Sequence, residues 1–196
     1  MSVDEIADSD VYLRQSLTFE QGKTYMITAG SGRGKTSLLN FIYGSSSMYD
    51  GEIVHHGSDS DNTSLRRSRL SYMFQDLRLF DNLTARENIE IKNRLTNHKT
   101  AAEIEQMLLS VLPASKIDVP ANTLSLGQKQ RVAAVRALCQ PFCFLLLDEP
   151  FSHLDNKTAE LLSHLIANEV KHQEAGMIIT ALDPICNIDF DKTLRL

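Results

Sequence analysis

The sequence lacks any long hydrophobic run and any excess of positive charge, and each absence narrows the possible functions. No apolar stretch approaches the roughly 20 residues that cross a bilayer. The formal net charge is −5, which does not favour binding to nucleic acid. The first residues are acidic, and no basic segment followed by an apolar one predicts a signal peptide. We therefore expect a cytoplasmic chain, without a nucleic-acid partner, that reaches a membrane only through another protein.

Cysteine is also scarce, and the three present do not form a metal pattern. Cys139 and Cys143 are close in sequence, but Pro141 separates them and no second pair of ligands follows. We interpret these two and Cys186 as reduced, mostly buried, small hydrophobic residues. The apolar fraction of 42% is ordinary for a globular protein, and 196 residues suffice for one domain with a sizeable core.

The most informative stretch is residues 29–37, which read Ala-Gly-Ser-Gly-Arg-Gly-Lys-Thr-Ser. Apolar runs at 25–28 and 38–42 flank it, as a strand and a helix would. Such a loop points backbone N–H groups at phosphate oxygens, and the helix N-terminus adds its dipole. Lys35 would reach the β- and γ-phosphates and Thr36 would bind Mg²⁺. The predicted nucleotide-binding residues of this loop are Gly30, Ser31, Gly32, Arg33, Gly34, Lys35, Thr36 and Ser37. The alternative, a glycine-rich turn with a surface lysine, is disfavoured by this strand–helix setting.

Hydrophobic periodicity predicts a largely parallel sheet covered by helices on both faces. Capping boxes that begin at Thr84, Thr100 and Ser125 predict three helices between two groups of strands. The polar residues 57–64 are expected to form a loop. The predicted strands are 11–20, 23–28, 50–54, 69–74, 142–147, 177–180 and 190–196, and further helices are predicted at 35–43 and 161–170.

Two acids, Asp148 and Glu149, follow the buried apolar run at 142–147. Adjacent acids at the end of a buried strand are costly unless a cation compensates their charge. We predict that Asp148 holds Mg²⁺, directly or through water, and that Glu149 orients and polarises the attacking water. The alternative is a pair of solvated acids where the strand leaves the sheet, and the phosphate loop upstream disfavours it.

In their order along the chain, these motifs resemble those of the nucleotide-binding subunit of ABC (ATP-binding cassette) proteins. Residues 29–37 resemble the Walker A loop, and Gln75 resembles the Q-loop glutamine. Residues 124–128, Leu-Ser-Leu-Gly-Gln, resemble the Leu-Ser-Gly-Gly-Gln signature. Residues 145–149 are similar to Walker B with its catalytic glutamate, and residues 152–155 are similar to the D-loop.

The resemblance implies a fold class and a domain organisation. It covers nearly the whole chain, so residues 1–196 are expected to form a single ABC-type nucleotide-binding domain. The fold class is α/β: a P-loop NTPase core with a mostly parallel sheet, an antiparallel β edge and a helical signature subdomain at about 76–140. Residues 80–89 are similar to the segment after the Q-loop in lipoprotein-release and macrolide-export ATPases.

The resemblance also implies cofactors, partners and roles. ATP and Mg²⁺ would be the cofactors, bound by a homodimer or paired cassette that works with an integral-membrane permease at the inner face of the membrane. Each signature would contact the ATP held by the other subunit. The signature residues in that contact would be Ser125, Gly127 and Gln128, the catalytic residues Glu149, Gln75 and Lys35, and the Mg²⁺ ligands Thr36, Gln75 and Asp148.

Four positions depart from the family pattern. Ala29 stands at the first glycine of the phosphate loop, where we expect a slightly tightened loop rather than a lost site. Leu126 stands at the first signature glycine, and Ala181 stands where a switch histidine usually follows a threonine. Tyr12 is the nearest aromatic residue upstream of the loop, but its spacing is short for stacking on adenine. We therefore expect slow hydrolysis or hydrolysis that a partner assists. Two alternatives remain: a nucleotide-gated binding module with little turnover, and a soluble ABC protein of DNA repair or translation.

Overall fold

The computed structural model describes residues 9–12, 16–57, 62–185 and 187–196. This part of the chain contains five strands and six α-helices. The strands are β1 (Thr24–Thr28), β2 (Leu70–Met73), β3 (Phe144–Asp148), β4 (Gly176–Ala181) and β5 (Lys192–Arg195). The helices are α1 (Lys35–Ile42), α2 (Asn62–Ser68), α3 (Ala85–Asn93), α4 (Ala101–Val111), α5 (Leu126–Leu138) and α6 (Asn156–His172), with 3₁₀ turns at Ala114–Lys116 and Ala121–Thr123.

The strands form one sheet in the order β2-β3-β4-β1-β5, and every neighbouring pair is parallel. Parallel pairing places all the carboxyl ends of the strands at one edge of the sheet. Thr28 lies beside Ala181, and Asp148 lies beside Thr180. The parallel α/β sheet is therefore confirmed, and its carboxyl edge gathers the segments that were predicted to carry the site.

Helices cover both faces of the sheet because each central strand is apolar on both sides. Leu145 and Leu147 face one core, where they share a cluster with Ile166 of α6 and with residues of α3, α4 and α5. Leu146 faces the opposite core, which includes Leu39 of α1. This alternation explains why β3 reads as a continuous hydrophobic run.

The three capping boxes are confirmed. Thr84, Thr100 and Ser125 each accept a hydrogen bond from the backbone three residues later, and the side chain at that later position bonds back. Each helix starts one residue after its cap, as predicted, because the cap satisfies N–H groups that have no partner inside the helix.

The predicted antiparallel edge is not found among the described residues, where every sheet pairing is parallel. Within the predicted strand 11–20, the N–H groups of Val11 and Tyr12 donate to Ser9 Oγ in a local turn, so they do not enter a ladder. Residues 50–54 form no strand either, and Val54 is 57% exposed. The predicted loop 57–64 is corrected at its end, because α2 begins at Asn62 and buries Leu65. Residues 58–61 of that loop lie outside the described residues.

The cysteine interpretation holds for the residues that can be described. Cys139 and Cys143 are free thiols, and Cys139 is fully buried. Burial raises the pKa of the Cys139 thiol to about 12, so it stays protonated at neutral pH. Cys186 lies outside the described residues.

Candidate functional site

The predicted phosphate loop joins β1 to α1 at the carboxyl edge of the sheet. Gly32 and Gly34 have φ angles of 75° and 89°, in the left-handed region that favours glycine. Gly34 is also the N-cap residue of α1, so its conformation directs the free N–H groups of the first helical turn. At the start of the loop, Ala29 N donates to Ala181 O over 3.3 Å. The loop is thus fixed to two strands and leads directly into a helix N-terminus.

Lys35 is the buried cation of the site. Its Nζ donates to Ala29 O at 2.7 Å and to Gly30 O at 3.0 Å. The same atom lies 3.2 Å from Glu149 Oε1, and the two side chains are 5% and 12% exposed. A buried ammonium group needs such partners, because desolvation is costly for an unpaired charge. Lys35 and Glu149, which are far apart in sequence, therefore form one charged pair beside the loop.

Thr36 and Gln75 extend this pair into a chain of polar contacts. Thr36 Oγ1 donates to Gln75 Oε1 at 3.1 Å, and Gln75 Nε2 lies 3.5 Å from Glu149 Oε2. The structure thus brings together Lys35, Thr36, Gln75 and Glu149, all of which were predicted as site residues. Glycines and serines of the loop lie beside them on the exposed surface.

Asp148 lies deeper than Glu149 and is 1% exposed. Thr180 Oγ1 donates to Asp148 Oδ1 at 2.6 Å, and the Tyr72 hydroxyl donates to Oδ2 at 3.4 Å. Burial raises the pKa of Tyr72, and the nearby Asp148 carboxylate raises it further, so the phenol stays protonated and can donate. These bonds orient the carboxylate at the end of β3.

The donors available to a cation at this edge are all oxygens: the Thr36 hydroxyl, the Gln75 amide oxygen and the Asp148 carboxylate. Among the residues that the structure describes, no group of three His, Cys, Asp or Glu side chains could hold a metal by itself. Mg²⁺ is commonly bound by one or two protein ligands together with substrate phosphates. The residues present fit that mode of binding.

The signature residues lie in a separate group at the start of α5. Ser125 and Gln128 bond to each other in the capping box. At Gly127, an added Cβ would lie 2.9 Å from His153 O, so glycine is needed for the close approach of residues 152–155. In the described part of the chain, no hydrogen bond or ion pair links these three residues to the phosphate loop. Leu126 is 51% exposed.

Three residues that organise the site were not predicted for it. Tyr72 and Thr180 bond to Asp148, and Gln130 donates from α5 to the backbone oxygen of Glu149 at 3.0 Å. All three are buried and lie in or beside apolar runs. One signal in the sequence could have indicated them, which is a polar residue at a core-facing position close to a predicted site residue.

Comparison with known proteins is consistent with this geometry. A family model described as "ABC transporter" matches residues 13–152. The sulfate/thiosulfate import ATP-binding protein CysA of Synechococcus elongatus is 40% identical over 144 residues, which are 72% of this chain and 42% of that protein. The thiamine import ATP-binding protein ThiQ of Haemophilus influenzae is 34% identical over 172 residues, which are 86% of this chain and 80% of that protein. The chain thus spans less than half the length of its CysA relatives.

Solved structures share the fold. The dimeric bacterial ABC transporter cassette MJ0796 is 28% identical with a TM-score of 0.75, over 85% of this chain and 78% of that one. A dimeric post-hydrolysis state of the same cassette, bound to ADP and Pi, is 27% identical with a TM-score of 0.71, over the same shares of the two chains. The specific likeness of residues 80–89 to release and export ATPases stays a prediction, since the curated relatives above are named for import.

Proposed function

The chain belongs to the ABC transporter family, and we propose that it binds ATP and hydrolyses it as the cytoplasmic ATPase subunit of a transporter with a separate membrane permease. One observation carries this proposal: Lys35, Thr36, Gln75 and Glu149 are in contact where the phosphate loop meets the carboxyl edge of the sheet. A cation, a hydroxyl, an amide and a carboxylate in that setting suit phosphoryl transfer to water. The relatives are named as ATP-binding proteins, which supports ATP as the nucleotide.

The roles follow from the contacts. N–H groups of the loop and of the first turn of α1 would bind phosphate oxygens. Lys35 would contact the β- and γ-phosphates, so its Nζ would have to leave loop carbonyls that it now contacts. That change would also free the Glu149 carboxylate to hold the attacking water and accept its proton. Gln75 is bonded to Thr36 and lies close to Glu149, so it would position the Thr36 hydroxyl relative to the Glu149 carboxylate.

Mg²⁺ is proposed as the metal, with Thr36, Gln75 and Asp148 as the residues that would hold it. Bound there, the ion would neutralise charge on the β- and γ-phosphates. Thr180 and Tyr72 keep the Asp148 carboxylate oriented toward this edge. The chain thus supplies hydroxyl, amide and carboxylate oxygens and leaves the remaining positions to phosphate and water.

We also infer a head-to-tail dimer in which Ser125, Gly127 and Gln128 contact the nucleotide of the other subunit. Their separation from the phosphate loop within one chain supports contact between chains, and a related cassette was solved as a dimer. Ser125 is exposed at a helix N-terminus, where a hydroxyl and free N–H groups favour an anion. The half-exposed Leu126 would lie at the dimer interface and weaken its closure. Residues 1–196 would act as one domain in this assembly.

A membrane permease is the proposed partner, and it would hold the subunit at the inner face of the membrane. The relatives named for sulfate/thiosulfate and thiamine import support a transport role. In the described residues, no helix is long and apolar enough to span a bilayer. Phe80, Ile91 and Leu95 are exposed in the helical part that follows Gln75, and they would contribute to the surface that receives the permease.

The test of the proposed activity is ATP hydrolysis with Mg²⁺ by the purified chain over a range of protein concentrations. We expect turnover whose rate rises more than linearly with protein, because two copies complete each site. Glu149→Gln should abolish turnover and leave ATP binding intact, whereas Glu160→Gln, at an exposed glutamate of α6, should have no effect. Turnover that Glu149→Gln does not reduce would refute the assigned mechanism.

The permease proposal has its own test. The chain should co-purify with an integral-membrane protein from detergent-solubilised membranes of its source, and the amount recovered should fall when Phe80 and Leu95 are changed to serine. Recovery of no integral-membrane protein would contradict the transporter assignment without affecting the ATPase assignment.

A further inference from the structure

The main chain of Glu149 is held in a conformation that costs energy. Its φ angle of 50° lies in the left-handed region, which a residue with a side chain keeps only where its surroundings fix it. Its N–H donates to Thr180 O at 3.1 Å. Its carbonyl oxygen accepts from Ser152 N at 3.3 Å, from Ser152 Oγ at 3.1 Å and from Gln130 Nε2 at 3.0 Å. The Glu149 carboxylate therefore points toward Lys35 because hydrogen bonds with neighbouring residues hold the Glu149 backbone.

Thr180 lies in β4 and Ser152 follows β3, whereas Gln130, the third residue that bonds to the main chain of Glu149, belongs to a helix. It lies in α5, five residues after Ser125, and it is 2% exposed. The carbonyl oxygen of Glu149 can only accept a hydrogen bond, so the amide nitrogen of Gln130 must face it. The amide oxygen, Oε1, is buried without a hydrogen-bond partner in the described structure.

That unpaired oxygen makes Gln130 a poor choice for stability alone. A buried polar atom without a partner destabilises a fold, and an apolar side chain of the same length would avoid the loss. The carbonyl of Glu149 would still keep its two bonds from Ser152. The observation that explains a glutamine here is its grip on the residue that carries the reactive carboxylate.

We propose that Gln130 is a positioning residue for ATP hydrolysis, which holds the main chain of Glu149 and ties the direction of its carboxylate to helix α5. This inference rests on the proposed function. Helix α5 begins at Ser125, the residue proposed to contact the nucleotide of the other subunit. If α5 shifts when the dimer closes, the Gln130 amide would move with it and would shift the backbone of Glu149 through their hydrogen bond. The Glu149 carboxylate would then reach its catalytic position only when the second subunit is in place.

The test uses Gln130→Met, which keeps the length of the side chain. It removes the unpaired oxygen and the bonds from Nε2 to Glu149 O at 3.0 Å and to Ser152 Oγ at 3.4 Å. We expect kcat for ATP hydrolysis to fall about a hundred-fold, the usual scale for a reactive group displaced by about 1 Å. KM for ATP should not worsen, because no proposed nucleotide contact is lost. The melting temperature should stay close to that of wild type, because Glu149 O keeps its bonds from Ser152 and the unpaired oxygen is removed together with the amide. Loss of stability in parallel with activity would instead mean a merely structural role and would overturn the proposal.

Gln140→Met is the matched control. Gln140 is 1% exposed, its Nε2 donates to Arg66 O and Leu70 O at 3.1 and 3.0 Å, and its Oε1 is also buried without a partner. It does not contact Glu149, so its replacement should leave kcat unchanged. An equal fall of kcat in both variants would refute a specific role for Gln130.

Two further measurements separate this inference from the proposed function. In a Glu149→Gln background, Gln130→Met should cause no additional loss of any residual activity, because the residue acts through Glu149. Hydrogen exchange of the Glu149 and Ser152 amides should be faster in Gln130→Met than in wild type or Gln140→Met. If the purified wild type does not hydrolyse ATP, turnover by the chain alone is contradicted, and the exchange rates alone decide whether Gln130 holds Glu149. Unchanged exchange would overturn the inference.

Discussion

At the scale of single residues, the site depends on buried polar groups that satisfy one another. The Thr180 hydroxyl donates to the Asp148 carboxylate, and the Thr180 main chain accepts the N–H of Glu149. One residue of β4 thus orients both acids at the end of β3. The next residue, Ala181, ends the same strand and has no side-chain polar group. The position after Thr180 is therefore occupied by a residue whose side chain cannot donate a hydrogen bond to a phosphate.

We predict that Ala181→His increases ATP turnover. Ala181 O accepts from Ala29 N, so the position adjoins the first residue of the phosphate loop. A histidine there could donate to a γ-phosphate oxygen, and one positioned donor contributes about 10²–10³ in rate at comparable sites. The measurement is kcat under saturating ATP and Mg²⁺.

Leu182→His is the control for this change, because Leu182 is the next residue and is 48% exposed. It should leave kcat at the wild-type value. A slower Ala181→His with unchanged ATP affinity would contradict the prediction and would indicate that the alanine is required for packing at the edge of the sheet.

At the scale of helices and strands, local signals predict the elements whose polar groups are satisfied locally. The start of helix α5 could be predicted because Ser125 and Gln128 form a complete capping box from adjacent sequence. The strand predicted at 11–20 is not found at the described residues 11–12 and 16–20, and residues 13–15 lie outside the described part of the chain. Alternation does not supply a partner strand, and Ser9 satisfies the N–H groups of Val11 and Tyr12 instead. The same limit applies to the site. Residues in motifs could be predicted, whereas the bond from Gln130 to Glu149 O comes from the approach of α5 to the residue after β3, which the sequence indicates only through a polar side chain at a core-facing position.

We predict that Thr100→Ala destabilises the protein by about 1 kcal/mol, the usual cost of a lost N-cap. Thr100 Oγ1 accepts from Glu103 N at 3.2 Å, and Glu103 Oε2 accepts from Thr100 N at 2.8 Å. The backbone N–H of Thr100 lowers the pKa of Glu103, and its hydroxyl lowers it further. A lowered pKa in the folded state gives stability that is present above the ordinary carboxyl pKa and is lost as the pH falls through the folded value.

Urea unfolding from pH 7 down to pH 3 is the measurement. The difference between wild type and Thr100→Ala should shrink toward acid pH, because protonated Glu103 no longer favours the cap. Thr123→Ala is the control, since Thr123 only donates to Pro120 O and caps no α-helix. A difference that stays constant with pH would mean that the bond from the Thr100 hydroxyl to the Glu103 carboxylate contributes nothing to the cap.

At the scale of the whole molecule, the helical part at 76–140 shares its core with the sheet. Ile89, Leu108 and Val132, from α3, α4 and α5, belong to the same hydrophobic cluster as Leu147 of β3 and helix α6. A buried ion pair adds a polar link between these parts. Lys99, just before α4, contacts Glu169 of α6 at 2.8 Å, and the two side chains are 6% and 10% exposed. The helical part is therefore held to the sheet by apolar packing and to helix α6 by both packing and charge.

We predict that Lys99→Met destabilises the protein by about 3–5 kcal/mol, because it leaves the buried Glu169 carboxylate without its cation. Gln173 Nε2 still donates to Glu169 at 2.7 Å, but one neutral donor does not replace an ammonium group. The double variant Lys99→Met with Glu169→Leu should regain most of the loss, since no unpaired charge is then buried. The measurement is the free energy of unfolding in urea at neutral pH.

The pair Lys23–Asp191 is the control, with side chains that are 51% and 39% exposed. Lys23→Met should change stability little, because water screens and solvates both partners. If Lys99→Met and the double variant lose the same free energy of unfolding, the lysine contributes through the packing of its aliphatic stem between the helical part and α6 rather than through its charge. Recovery in the double variant would instead mean that the loss in Lys99→Met came from the unpaired Glu169 carboxylate, and that apolar packing suffices for stability when neither charge is present.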